Sequence, residues 1–356
     1  MPTPDTQPRA TEIDANNPPI NHTRKPARNH HLTNIWRRSL PEDWGVFVFV
    51  AILVIIALGQ RRSIHVNEVV GRHYIYFLAY LLVFLTLAGV GIPKLIKTIR
   101  HWIPIIICTF VFGNLGDTIH RLNPHDKDYM LNQWDIVMFL GINPSLWLDR
   151  HAMWPWLINF MQSMYTTYYL FGPLTAAVLF FRRRWKGFRT FMLAWVFASY
   201  VGFLGYVAVP ALGPRYYLVD QYENHIDRGH TVPFAKELRR VIDKWESNKR
   251  DVFPSLHTAL TLIPLFVAFY HERKLFWLLF PFATGILLST VYCRYHYVVD
   301  IIAGIALAAL ALWIAPRINR WWERAVLNGS FDDLFPDYGK FVPVWNRLLK
   351  RKNNTP

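Results

Sequence analysis

Three short stretches of this 356-residue sequence gather residues able to hold an anion and move a proton. They are Pro210-Ala211-Leu212-Gly213-Pro214-Arg215-Tyr216, then Asp251 to Thr258 with Pro254-Ser255-Leu256-His257 inside it, then Ser289 to Asp300 with Arg294 and His296. His296 and Asp300 are four positions apart, so a helix beginning there stacks them on one face. An Asp that accepts the proton of one imidazole nitrogen leaves the other nitrogen as a free lone pair, which suits a nucleophile or a general base. The same spacing also suits a purely structural hydrogen-bonded pair. Pro254-Ser255-Leu256-His257 opens an apolar run, where the first N–H groups of a helix lack intrahelical partners and the dipole end is positive. That is a cradle for phosphate, to which Ser255 can donate its hydroxyl while a protonated His257 gives a proton to a departing oxygen. Ordinary helix capping would put Pro and Ser there too. Arg215 and Arg294 carry permanent charge in planar forks that match phosphate oxygens. Arg215, with Tyr216 beside it, reads as a phosphate ligand in preference to a cap on the fifth span; Arg294 reads equally as a ligand or as an interfacial side chain that snorkels.

These residues need elements to bring them together, and the composition says which kind. The chain is 53% hydrophobic and 16% aromatic, with 39 Lys and Arg against 24 Asp and Glu, a net charge of +15. Dispersed among polar residues, that charge would suggest nucleic acid; the apolar residues are instead collected into long blocks, which points to a membrane and to no nucleic-acid partner. The blocks predict spans near 44–59, 73–91, 101–116, 154–181, 188–210, 254–271, 275–292 and 296–315. Crossing the hydrocarbon takes about 20 mostly apolar residues per helix, and a barrel would show short alternating strands instead. The expected fold is all-α, a polytopic bundle of about eight transmembrane helices. The block at 101–116 is the weakest, interrupted by Gly113, Asn114, Gly116 and Asp117. Cys108 and Cys293 lie far apart and match no metal-ligand spacing, so neither a disulfide framework nor a metal site is expected.

Residues 1–43, with seven prolines among polar residues, are expected to form a flexible cytoplasmic arm, residues 44–316 the transmembrane catalytic domain, and residues 317–356 a cytoplasmic interfacial tail. Basic clusters at Arg37–Arg38, Lys94–Arg100, Arg182–Arg189, Arg273–Lys274 and Arg317–Arg324 place those ends of the spans in the cytoplasm, so both termini face inward and all three reactive stretches face outward. Ionisable groups at the membrane edge are expensive, and several at one depth call for a functional explanation. The aromatic stretch 131–148 reads as an interfacial helix, and the loop 217–253, with Lys236, Arg239, Arg240 and Lys244, as a headgroup-recognition element or a solvated helix.

Pro254-Ser255-Leu256-His257 followed by His296-x3-Asp300 resembles the second and third signatures of the type 2 phosphatidic acid phosphatase superfamily, over roughly residues 150–316. Leu256, where classical phosphatases have Gly, is similar to the branch containing inositol phosphorylceramide synthases. Thr290 stands where those phosphatases carry an Arg, and Ala208 where they carry a Lys, which makes Arg294 a candidate replacement. The resemblance implies a six-helix phosphatase-type core and a metal-independent, cofactor-free reaction. His296 would attack phosphorus to give a phosphohistidine, Asp300 would support it, and His257 would protonate the leaving oxygen. Arg215, Ser255, Arg294 and Tyr216 would hold the phosphate. With a lipid alcohol or polyol as acceptor the protein is a phosphotransferase, the preferred expectation; with water it is a lipid phosphate phosphatase. A non-catalytic lipid transporter or scaffold would need the arginines but not two histidines with an oriented Asp. The oligomeric state is not legible.

Overall fold

The computed structural model describes residues 39–59, 99–224, 233–245 and 248–329. The expected span at 73–91, residues 1–38 of the expected arm and residues 330–356 of the expected tail lie outside them. Among the described residues the regular elements are all helical: α1 (Pro41–Gly59), α2 (Ile103–Leu122), α3 (Asp128–Met138), α4 (Pro144–His151), α5 (Pro155–Thr166), α6 (Tyr168–Phe181), α7 (Trp185–Ala208), α8 (Pro233–Trp245), α9 (Leu256–His271), α10 (Arg273–Tyr292) and α11 (Val298–Trp322). α7, α10 and α11 with the turn that follows it are each long and apolar enough to cross a membrane. The expected all-α membrane bundle is the fold observed.

Local chemistry sets many of the boundaries. α2, α4 and α5 each begin with a proline in the first turn, where the missing N–H costs no hydrogen bond. Asn143 caps α4 by accepting from Ser145 N and Leu146 N at 3.0 and 3.1 Å. The block expected at 154–181 divides into α5 and α6 at Thr167, whose N–H turns back to Ser163 and Met164 carbonyls. α2 runs straight through the polar interruption that made its span look weak, and ends at Leu122 rather than 116. The aromatic stretch 131–148 is two short helices, α3 and α4, because Leu140 and Gly141 both have positive φ, which ends α3.

α7 is the central post, packed by α1, α2, α9 and α11. Its residues Phe188, Phe191, Met192, Ala194 and Ala198 are fully enclosed with Ile263 of α9 and Ala311 of α11. In a bilayer, lipid tails are as apolar as Leu, so helices associate through close packing at small residues. Gly202 of α7 does this for α9: a Cβ there would stand 2.5 Å from Leu256 Cδ2. At the opposite end, buried Arg189 pairs with Glu42, and Arg100 reaches Asp43 at 2.7 Å, fastening α1 to α7 and to the start of α2. The reactive stretches all fall at the end of the bundle where α7 and α10 finish and α9 and α11 begin.

Candidate active site

The turn 293–297 between α10 and α11 carries His296, and the start of α9 carries His257. Two different helix junctions thus put His257 Nδ1 3.2 Å from His296 Nε2, with ring centroids 5.4 Å apart. His296 Nδ1 points the other way, to Asp300 Oδ2 at 3.5 Å, ion-pair range rather than a tight hydrogen bond. Asp300 is fixed as the third residue of α11: its carboxylate accepts from Tyr297 N at 2.8 Å and its carbonyl accepts from Ser255 N at 3.0 Å, tying the two reactive stretches together. His296 is 2% exposed. Burial, and after it the neighbouring His257 imidazole, push its pKa well below the ordinary 6.5, which favours the neutral ring.

Both rings open on a cavity of about 230 Å³ that Arg215, Tyr216, Lys249 and Asp251 also line. Arg215 reaches it through a turn that only glycine permits. Gly213 has φ +84°, and a Cβ there would meet Tyr295 O at 2.8 Å. The Arg215 guanidinium forks onto Asp243 of α8 at 2.6 and 2.8 Å, and its backbone N–H donates to Arg294 O at 2.9 Å. Tyr216 lies under two cations, Arg215 at 5.2 Å and Lys249 at 5.4 Å from its ring centre.

The remaining expected ligands sit elsewhere. Arg294 is 5% exposed, with left-handed backbone at φ +67°. Its guanidinium pairs with buried Asp149, donates to Asn224 O at 2.8 Å and lies 3.7 Å over Tyr222. That places its charge beyond the cavity lining. Ser255 is fully buried as the cap of α9, its Oγ accepting from Thr258 N at 3.2 Å and hydrogen-bonded to Thr258 Oγ1 at 3.1 Å, and it too lies outside the lining. Of the expected set, then, His257, His296, Arg215 and Tyr216 meet at the cavity, Asp300 backs His296, and Arg294 and Ser255 brace the loops.

Other residues of the site escaped the sequence. Tyr165 of α5, wholly buried, places its hydroxyl 2.7 Å from His257 Nε2. Lys249 and Asp243 line the cavity, and Asp243 holds Arg215. Arg239 of α8, which stood among the loop cations, is buried; it donates to Cys293 O at 2.7 Å and lies 5.0 Å over the Tyr295 ring. Burial pushes the Cys293 thiol up to about 12, so it is an inert packing residue. Three aspartates of α3 and α4 act as a clamp around the loops. Asp128 accepts from Leu212 N and Gly213 N at 2.8 Å each and from Tyr297 O–H at 3.0 Å. Asp135 accepts from Val298 N and Val299 N at 2.8 and 2.9 Å, capping α11, and Asp149 holds Arg294. Nothing but their place among aromatic neighbours marked these carboxylates in the sequence; the partners named here are 84 to 169 residues away.

An all-helical membrane bundle with two histidines and an arginine facing one cavity at its rim defines a class, and comparison with known proteins names it. The model of the PAP2 superfamily matches residues 134–314, just over half of the chain, and the chain belongs to that superfamily. It is an integral membrane protein. A phosphoinositol dihydroceramide synthase from Bacteroides thetaiotaomicron is 27% identical over 146 residues, 38% of this chain. The matched part spans 48%, about half, of that relative's length. No solved structure matches the chain.

Proposed function

We propose that this protein is a lipid phosphotransferase that carries a phosphoryl or phospho-headgroup between lipids on His296. The observation that carries this reading is the 3.2 Å approach of His257 Nδ1 to His296 Nε2, at a cavity that also receives the Arg215 guanidinium. A lipid phosphate that enters the cavity must part these two nitrogens, and it then meets one as nucleophile and the other as proton donor. His296 Nε2 attacks phosphorus; the P–N bond forms as the bond to the leaving oxygen breaks, and His257 delivers the proton that oxygen needs. Asp300 supports the charge that attack leaves on the His296 ring. Arg215, with Lys249 nearby, offsets charge on the equatorial oxygens. In the second half-reaction His257, now neutral, takes the proton of an acceptor hydroxyl, which attacks phosphorus and frees His296.

The name of the Bacteroides relative supports a lipid alcohol as acceptor and a phosphoinositol headgroup as cargo. The positive-inside distribution supports an extracytoplasmic site: Arg182 and Arg184, which pair with Glu272, and Arg273 lie at the opposite end of the bundle from the histidines. The test is incubation of purified full-length protein with radiolabelled phosphatidylinositol and a ceramide, with products resolved by mass spectrometry. A new phosphodiester is expected, and it should persist in excess chelator. Free inositol phosphate alone would make the protein a hydrolase, and no turnover of either kind would overturn the reading.

A further inference from the structure

The proposed reaction asks His257 to release a proton in one half-reaction and take one in the next from the same direction. That needs its second nitrogen fixed. His257 Nδ1 lies beside His296 Nε2, the atom that attacks phosphorus, and Nε2 meets the Tyr165 hydroxyl at 2.7 Å. We infer that Tyr165 is the positioning residue of His257, the counterpart of Asp300 behind His296, and that it confines proton exchange to Nδ1.

The phenol is itself rigidly held. Tyr165 is 0% exposed and stacks on Tyr295 with centroids 4.3 Å apart and planes at 18°. Tyr168, one turn further along the same side of the α5–α6 junction, places its ring 4.5 Å from that of His257. The imidazole therefore has aromatic walls and one polar anchor. The choice of anchor follows from the two jobs. His296 gains positive charge when it attacks phosphorus, and a carboxylate stabilises that charge. His257 must lose positive charge in the same step, and a carboxylate behind it would hold the proton back. A neutral phenol oxygen accepts Nε2–H in the imidazolium and in the neutral ring alike, so the ring keeps its orientation while Nδ1 gives its proton to the leaving oxygen and later receives one from the acceptor hydroxyl. Tyr165 keeps its own proton throughout.

This inference rests on the proposed reaction, and leaving-group chemistry separates the two. The probes are two phosphodiesters of inositol, one with the alkyl alcohol diacylglycerol and one with 4-nitrophenol as the leaving group, turned over by the full-length protein in detergent micelles. An alkoxide needs a proton as it departs; a nitrophenoxide does not. Tyr165→Phe, which keeps the ring and its stacking, should lower kcat/KM for the alkyl ester by about tenfold or more, within the range of general acid catalysis, and for the nitrophenyl ester by less than about threefold. The ratio comes from one preparation, so any loss of folded protein cancels. Tyr165→Phe added to His257→Gln should change the alkyl rate by less than about twofold, because the group it positions is gone. Equal losses on both esters, or none on either, would overturn the role of Tyr165 and leave the proposed function standing. A wild-type protein that turns over neither ester would overturn the reading and this inference with it.

Discussion

His296 carries the bond-making step in this reading, and its replacement is the most severe single change. His296→Ala should reduce transfer by about 10³-fold or more, as loss of a nucleophile does elsewhere, while equilibrium binding of the lipid phosphate survives; transfer at the normal rate would remove His296 from the mechanism. Because burial and then His257 hold its pKa well below 6.5, the neutral ring persists into mildly acid solution, and the acid limb of kcat/KM should fall below pH 6.5. The same depression acts on stability. Unfolded imidazole takes up its proton as pH drops through about 6.5, native His296 resists, and the contribution of this group is complete above that pH and is lost as pH falls toward the lowered native value. Arg215 is engaged by Asp243, whose side chain is 39% exposed, so phosphate must compete with a solvent-screened carboxylate. Asp243→Asn should lower KM by up to about fivefold, the range of an exposed pair; a raised KM would show that Asp243 helps to bind substrate.

Between residue and bundle, the helix junctions make the site. Leu256, one of three positions at which the sequence departs from the classical phosphatases, packs into the notch left by Gly202 on α7 rather than facing the cavity. Its effect is therefore on how α9 seats, and through α9 on where His257 lies. Gly202→Ala forces a Cβ to 2.5 Å from Leu256 and should destabilise by about 1–3 kcal/mol. Leu256→Ala in the same chain should recover part of that loss, read by thermal unfolding in detergent; no recovery would mean that α7 and α9 do not meet there. The clamp of α3 and α4 makes a second prediction. Arg294 is buried against Asp149, so Arg294→Ala strands a buried carboxylate and should cost about 3–5 kcal/mol of stability. A phosphate ligand would behave otherwise, raising KM with stability unchanged.

Across the whole molecule, the bundle separates a basic end from a reactive end, and that polarity can be read from outside. Cys108 and Cys293 are buried, so a cysteine introduced at exposed Tyr217 or Arg183 reports alone. In sealed, right-side-out vesicles an impermeant maleimide should label Tyr217→Cys at once and Arg183→Cys only after permeabilisation; the reverse pattern would put the site in the cytoplasm. The sequence by itself determined the all-α membrane class, because long apolar blocks are a local signal, and it brought forward His257, His296 and Asp300 as candidates through an i to i+4 pair, a Pro-Ser start to a helix and the family resemblance those motifs carry. It also marked Arg215, for a permanently charged planar fork at the outward end of a span. Only the tertiary structure decided that Arg294 pairs with Asp149, that Ser255 caps α9, and that Tyr165 and the aspartates of α3 and α4 come to the histidines and the loops around them. The physical reason is that an arginine, a serine or a tyrosine offers the same groups wherever it stands. Which partner it meets is fixed by helices that pack across more than a hundred residues of chain, and one-dimensional spacing carries no record of that packing.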